Sequence, residues 1–140
     1  MIPSLPFQEA VRASLLADPT IALHITPDRI RAGSFRPEQL PAIVITPTQT
    51  EILGRAAGRQ IVAEVRMMLH CWAVADGTET GPAIAAAAVM ALLDAPRTYG
   101  LGFDIDRWER PHLVWADQAA AVADASHGAI ALRAVIRWPE

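Results

Sequence analysis

The chain predicts an α+β fold, a mainly antiparallel β-sheet with two α-helices packed on one face, and three features of the sequence carry that prediction. A long stretch from Gln60 to Val74 alternates with period two, a helical pattern follows it almost at once, and a second alternating run closes the chain from Gly128. In the first stretch Ile61, Ala63, Val65, Met67, Leu69, Cys71 and Ala73 make one wholly apolar face. Period two is the spacing of a strand, so this set belongs against a core. The opposite face mixes Glu64, Arg66 and His70 with Val62, Met68, Trp72 and Val74. That is too apolar for a fully wet surface, which makes Val62, Met68, His70, Trp72 and Val74 the candidates for a subunit interface.

The remaining elements follow in chain order. A first helix begins near Pro6, places Phe7, Ala10, Val11 and Leu15 on one face, and stops at Asp18-Pro19, because a residue before proline avoids helical angles. Thr20 to Phe35 reads as a loop with a short extended piece around Ile30. Leu40 to Thr46 is a compact strand whose bounding Pro41 and Pro47 suit strand ends. Thr48 to Gly58 is polar, holds Gly54 and Gly58, and reads as an extended loop between two strands. After the turn dipeptide Asp76-Gly77, Thr78 to Gly81 offers an N-cap, and Pro82 fits only the first turn of a helix. Ile84, Ala88, Ala91, Leu92 and Ala95 then share one stripe, and Asp94-Ala95-Pro96 ends the helix. Leu101 to Trp108 puts Asp104 and Asp106 on one face and Phe103 and Ile105 on the other, and Leu113-Val114-Trp115 extends that pairing after Pro111. Ala116 to Ser126 is alanine-rich, and its periodicity leaves loop, helical turn and edge strand equally open. From Gly128, Ile130, Leu132, Ala134, Ile136 and Trp138 alternate with Ala131, Arg133, Val135 and Arg137, a closing strand with a basic outer face. Two helices can then cover one face of the sheet.

Composition bounds the class of function. With 140 residues and no linker or repeat, the chain reads as one domain spanning residues 1–140. A hydrophobic share of 52% against 19% charged describes a globular chain and excludes a disordered one. The net charge of −3 argues against a dedicated nucleic-acid binder, which needs a basic stripe to meet the phosphate field. All 12 basic residues are arginine, a pattern that codon usage in a GC-rich genome accounts for. The lone Cys71 forms no intrachain disulfide and gives no sign of an oxidising compartment. Met1 to Ser4 lacks the basic start and apolar core of a secretory signal, and Ala83 to Leu93 is too short to cross a bilayer. The expectation is a protein made and kept in cytoplasm, with no membrane partner.

Little in the sequence carries chemistry. Gly54 to Gly58 lacks the lysine and the hydroxyl residue of a phosphate loop and lies between strands rather than opening a helix. Asp104, Asp106 and Glu109 could gather a divalent cation, which needs convergent carboxylates, but acids on the wet side of a strand need no ligand. His70 and Cys71 are adjacent on a strand and point to opposite faces, so they cannot share a zinc ion. His24, His112 and His127 are scattered, and each reads as a surface or partly buried imidazole. No Ser, His and Asp set has an elbow motif around it. Trp72, Trp108, Trp115 and Trp138 fall in or beside strands, where core or interface packing outweighs base stacking. No catalytic, cofactor-binding or metal-binding residue is assigned.

Taken in order, these segments resemble the tail-completion, or tail-terminator, proteins of tailed phages and of phage-derived gene transfer agents. The resemblance rests on the opening helix from Phe7 to Pro19, the short Arg29-Ile30 piece, and the strand Leu40 to Ile45. It continues in the strand ending His70-Cys71-Trp72, the helix ending Ala91-Leu92-Leu93, and the terminal strand His127 to Arg133. It departs from the family pattern in the alanine-rich Ala116 to Ala125, where a tight turn is expected, and in a proline-rich approach to the first strand. The resemblance implies a non-catalytic ring, of six subunits, that caps the tail tube and joins it to the neck below the capsid. It further implies as partners other copies of the chain, the tail tube protein and a neck or head-completion protein, with DNA at most passing through the channel. Its place would be the host cytoplasm during assembly and then the virion, at the top of the tail. Within such a ring Gln49, Glu51, Arg55 and Arg59 are candidates to face the tube or the channel. Two competing classes are a small metal-dependent enzyme built on Asp104, Asp106 and Glu109, and a dimeric cytosolic ligand-binding module.

Overall fold

The computed structural model describes residues 2–33, 37, 39–74, 80–115 and 125–140. Helix α1 spans Ser4–Leu16 and buries Phe7, Ala10, Val11 and Leu15, the stripe its sequence predicts. The segment expected to be a loop from Thr20 to Phe35 begins instead with a second helix, α2, Pro19–His24. Asp18-Pro19 stops one helix and starts the next: the Asp18 carboxylate accepts from the Ile21 amide, and Pro19 occupies the first helical position. A 3₁₀ turn at Pro27–Arg29 leads into strand β1, Ile30–Ala32, which is the extended piece anticipated around Ile30.

Strand β2 is Ala42–Ile45, and β4 is Gln60–Val74. Between them the stretch expected as an extended loop forms strand β3, Gln49–Ala56, closed by a tight turn through Gly58 and Arg59, both at positive φ. Its large apolar residues, Ile52 and Leu53, are adjacent and do not alternate, so a periodicity argument cannot read β3 as a strand. Its backbone pairs with β4 over Gln49↔Arg66 to Ala56↔Gln60, with a bulge at Leu53. Helix α3 covers Thr80–Ala91. Of the segment Thr78 to Gly81 expected to hold its N-cap, Thr80 and Gly81 are already helical, and Thr78 and Glu79 fall outside the described residues. Ile84, Ala88 and Leu92 are buried, whereas Ala95 lies beyond the helix and is exposed. The first turn lies so close to the sheet that a Cβ on Gly81 would meet Ser126 Oγ at 2.6 Å and Ala73 Cβ at 3.4 Å, which only glycine avoids.

Strands β5, Asp104–Trp108, and β6, His112–Trp115, are two pieces of one edge broken around Pro111. Strand β7, Ala125–Pro139, pairs with β4 along its length, from Gln60↔Pro139 to Val74↔Ala125. The open choice for Ala116 to Ser126 is decided only at its end: Ala125 and Ser126 start β7, and residues 116–124 fall outside the described residues.

The strand order is β1-β2-β4-β7-β5, with β3 beside β4 below β2 and β6 beside β7 above β5. Every described pairing is antiparallel except β1 with β2. The α+β prediction therefore holds, with three α-helices among the described residues in place of two. The apolar face of β4 and its β7 counterparts Ile130, Leu132, Ala134, Ile136 and Trp138 pack under α1 and α3 in one buried cluster. Phe7 and Phe103 lie 6.1 Å apart between ring centroids, and Trp108 donates its indole N–H to the Leu92 carbonyl at 2.8 Å, tying β5 to the end of α3. Cys71 is sealed in this core, where burial pushes its thiol up to about 12. No helix among the described residues is long and apolar enough to cross a membrane.

Candidate assembly surface

The described helices lie on one face of the sheet, and the other face carries the interface candidates. On it Val62, Glu64, Arg66, Met68, His70, Trp72 and Val74 of β4 stand beside Arg137, Val135, Arg133, Ala131, Ala129, His127 and Ala125 of β7. The face divides into three zones.

At its upper end the chain covers its own surface. His70 and Trp72, read from sequence as interface residues, are buried at 7% and 4% exposure. A residue far along the chain contributes: the register Trp72↔His127 brings His127 over the Trp72 ring, with centroids 4.0 Å apart and planes within 7°. His127 Nε2 lies 2.7 Å from His70 Nδ1, so one imidazole donates to the other. The expectation of a scattered His127 is thus corrected, while His24 and His112 are exposed as expected. Burial holds both imidazoles below their ordinary value; His127 falls to about 4, first through burial and then through the charge of His70. Trp72 also packs with Val44, Ala125 and Leu40 in a small apolar cluster. Of the interface candidates, Met68 at 38% and Val74 at 46% remain exposed, and Val62 is half-buried.

In the middle lies a trough of about 800 Å³. Both flanking edges break at this level, around Pro47 on one side and before Pro111 on the other, and the gaps expose the β4–β7 pair. Met68, Arg66, Arg133, Gln49, Arg110 and His112 are among its lining residues. The two prolines were visible in the sequence, but their shared level depends on the register of four strands.

The lower zone is ionic. Glu64 accepts from Arg66 at 2.7 Å and lies 2.8 Å from Arg133. Those hydrogen bonds, Arg66 first, hold the Glu64 carboxyl below the usual range, and Glu64 in turn raises Arg133. Arg137 reaches Asp106 at 3.2 Å, Asp104 at 3.8 Å and the Gln60 side chain. Glu109 faces Arg133 at 4.0 Å. Asp104, Asp106 and Glu109 are thus engaged by two different arginines, and no three His, Cys, Asp or Glu side chains among the described residues could hold a metal ion. The basic outer face of β7 is what these acids answer. On the hairpin, Arg55 pairs with Glu140 at 2.7 Å, Gln49 and Glu51 share the outer face with Arg66 and Glu64, and Arg59 sits in the turn.

Comparison with known proteins bears on what this surface is for. A family model described as "Tail completion protein gp17" matches residues 9–137. Among solved structures, a chain in the "Virion of native gene transfer agent (GTA) particle" is similar, with a TM-score of 0.66 over 93% of each chain and 20% identity. At that identity the likeness speaks for the fold. No curated protein matches.

Proposed function

The chain belongs to the Tail completion protein gp17 family, and from that premise we propose that it forms a closed ring of six copies that terminates the tail tube and joins it to the neck or head. Membership makes it a structural component of a tailed phage or phage-like virion and not an enzyme. The match across residues 9–137 carries the proposal, because it takes in the core and the outer sheet face together.

The physical support is a surface divided between self-contained and unsatisfied parts. Met68 and Val74 are exposed on the outer face beside half-buried Val62, and a partner that covers them removes apolar area from water. His70 and Trp72 contribute from beneath, by holding that part of the face rigid. The β3–β4 hairpin, with Gln49, Glu51, Arg55 and Arg59, is the element proposed to meet the tube or the channel. The partners are other copies, the tube protein and a neck or head-completion protein; assembly takes place in the host cytoplasm, and DNA at most passes through the channel.

Electron microscopy of the purified protein, alone and mixed with tail tubes, tests this. Six-fold rings seated at one end of the tubes are expected. A stable dimer that ignores tubes would instead favour a ligand-binding module and overturn the ring.

A further inference from the structure

In its lower half the sheet ends in β3, paired with β4, and β5, paired with β7, each on one side only among the described residues, while β1 and β6 are the edges above them. Following the register across the sheet, Glu51 lies opposite Glu64, Glu64 opposite Val135, and Val135 opposite Arg107. One transverse row of the outer face therefore carries a carboxylate at its β3 end and a guanidinium at its β5 end. Neither Glu51 nor Arg107 belongs to an ion pair among the described residues. Glu51 lies opposite Glu64, whose carboxylate Arg66 and Arg133 already engage, and the more distant charge of Arg133 is its nearest compensation. The adjacent row, on the helix-covered face, runs Ile52, Ala63, Ile136, Ile105. Ile52 is 51% exposed at one end, and Ile105 is half-buried at the other.

We propose that the β5 edge of a second copy of this chain adds to the β3 edge, so that the sheet continues from subunit to subunit; this rests on the ring proposed above. Strand direction agrees. β3 runs against β4, β4 against β7, and β7 against β5, so β5 runs opposite to β3. A neighbour related by rotation about an axis along the strands thus offers β5 antiparallel to β3. With rows level, Arg107 of the next copy meets Glu51 on the outer face, and its Ile105 meets Ile52 on the inner face. The two surfaces differ, which is the heterologous contact that a closed ring requires. Each edge also carries a bulge, at Leu53 beside the matched rows and at Asp106 between them, and bulged edges blunt indiscriminate strand addition. Glu51 is thereby assigned to the subunit contact, and Arg55 and Arg59 at the turn are left for the tube.

The test is a charge swap in the full chain, followed by sedimentation velocity over a concentration range. Glu51→Arg and Arg107→Glu should each weaken self-association about tenfold or more, because like charges then meet across the edge. The double variant should restore it. Single variants that associate as the wild type does would overturn the edge contact while leaving a ring, seen by microscopy, in place. Oxidative cross-linking of a Glu51→Cys, Arg107→Cys chain covers the case of weak association. A ladder of oligomers is expected; monomer alone, or cross-links only to added tube protein, would overturn the proposal.

Discussion

His70 and His127 are separated by most of the second half of the chain, yet they share one proton-poor site behind Trp72. An ordinary histidine takes up its proton near 6.5, whereas folded His127 does so only at about 4. Between those values the unfolded chain binds the proton that the folded chain refuses. The stability contributed by neutral His127 is therefore full at neutral pH and is lost as pH falls through that window, at up to about 1.4 kcal/mol per pH unit. Thermal melts from about pH 7 down to about pH 5 should show a smaller drop in Tm for His127→Gln than for wild type; equal drops would contradict the assignment. Arg59 poses a different single-residue problem, since it holds a φ of 58° in the hairpin turn. A side chain pays strain in that region and glycine does not, so Arg59→Gly should gain about 0.5 to 1 kcal/mol by urea denaturation.

Among elements, a hydrogen bond from Trp108 ties β5 to the end of α3. Trp108→Phe keeps most of the ring but strands the Leu92 carbonyl, and should cost about 1 kcal/mol in stability. The outer face of β4 separates folding from assembly within a few residues. Met68→Asp places a charge on an exposed wall of the trough and should leave the melting curve within about 1 kcal/mol of wild type. Trp72→Asp buries a charge against His127 and should cost on the order of several kcal/mol, reducing soluble folded protein. Circular dichroism melts of the two variants decide this; similar losses would show that the zones are not separate.

At the scale of the whole molecule, assembly is a mass-action property, so a dilute monomer and a ring on the tail are compatible states of the same chain. Met68→Asp should fold as the wild type does yet give fewer head-joined tails by microscopy if the outer face meets a partner. Normal particle yield would restrict contacts to the sheet edges and the hairpin.

Local pattern was enough for the α+β class, the apolar face of β4, the stripe of α1, the Ile84, Ala88 and Leu92 part of the α3 stripe and the closing strand, because period and proline placement report which side of an element is buried. It could not reveal β3, whose ladder is made by backbone while its large apolar residues, Ile52 and Leu53, are adjacent and do not alternate. It also could not tell that Trp72 is covered, or that Asp104, Asp106 and Glu109 answer Arg133 and Arg137. Those facts depend on register between strands far apart in sequence. Register is set when the whole core packs, since the pairing that buries Leu69 against Ile130 on one face also puts Trp72 beside His127 on the other.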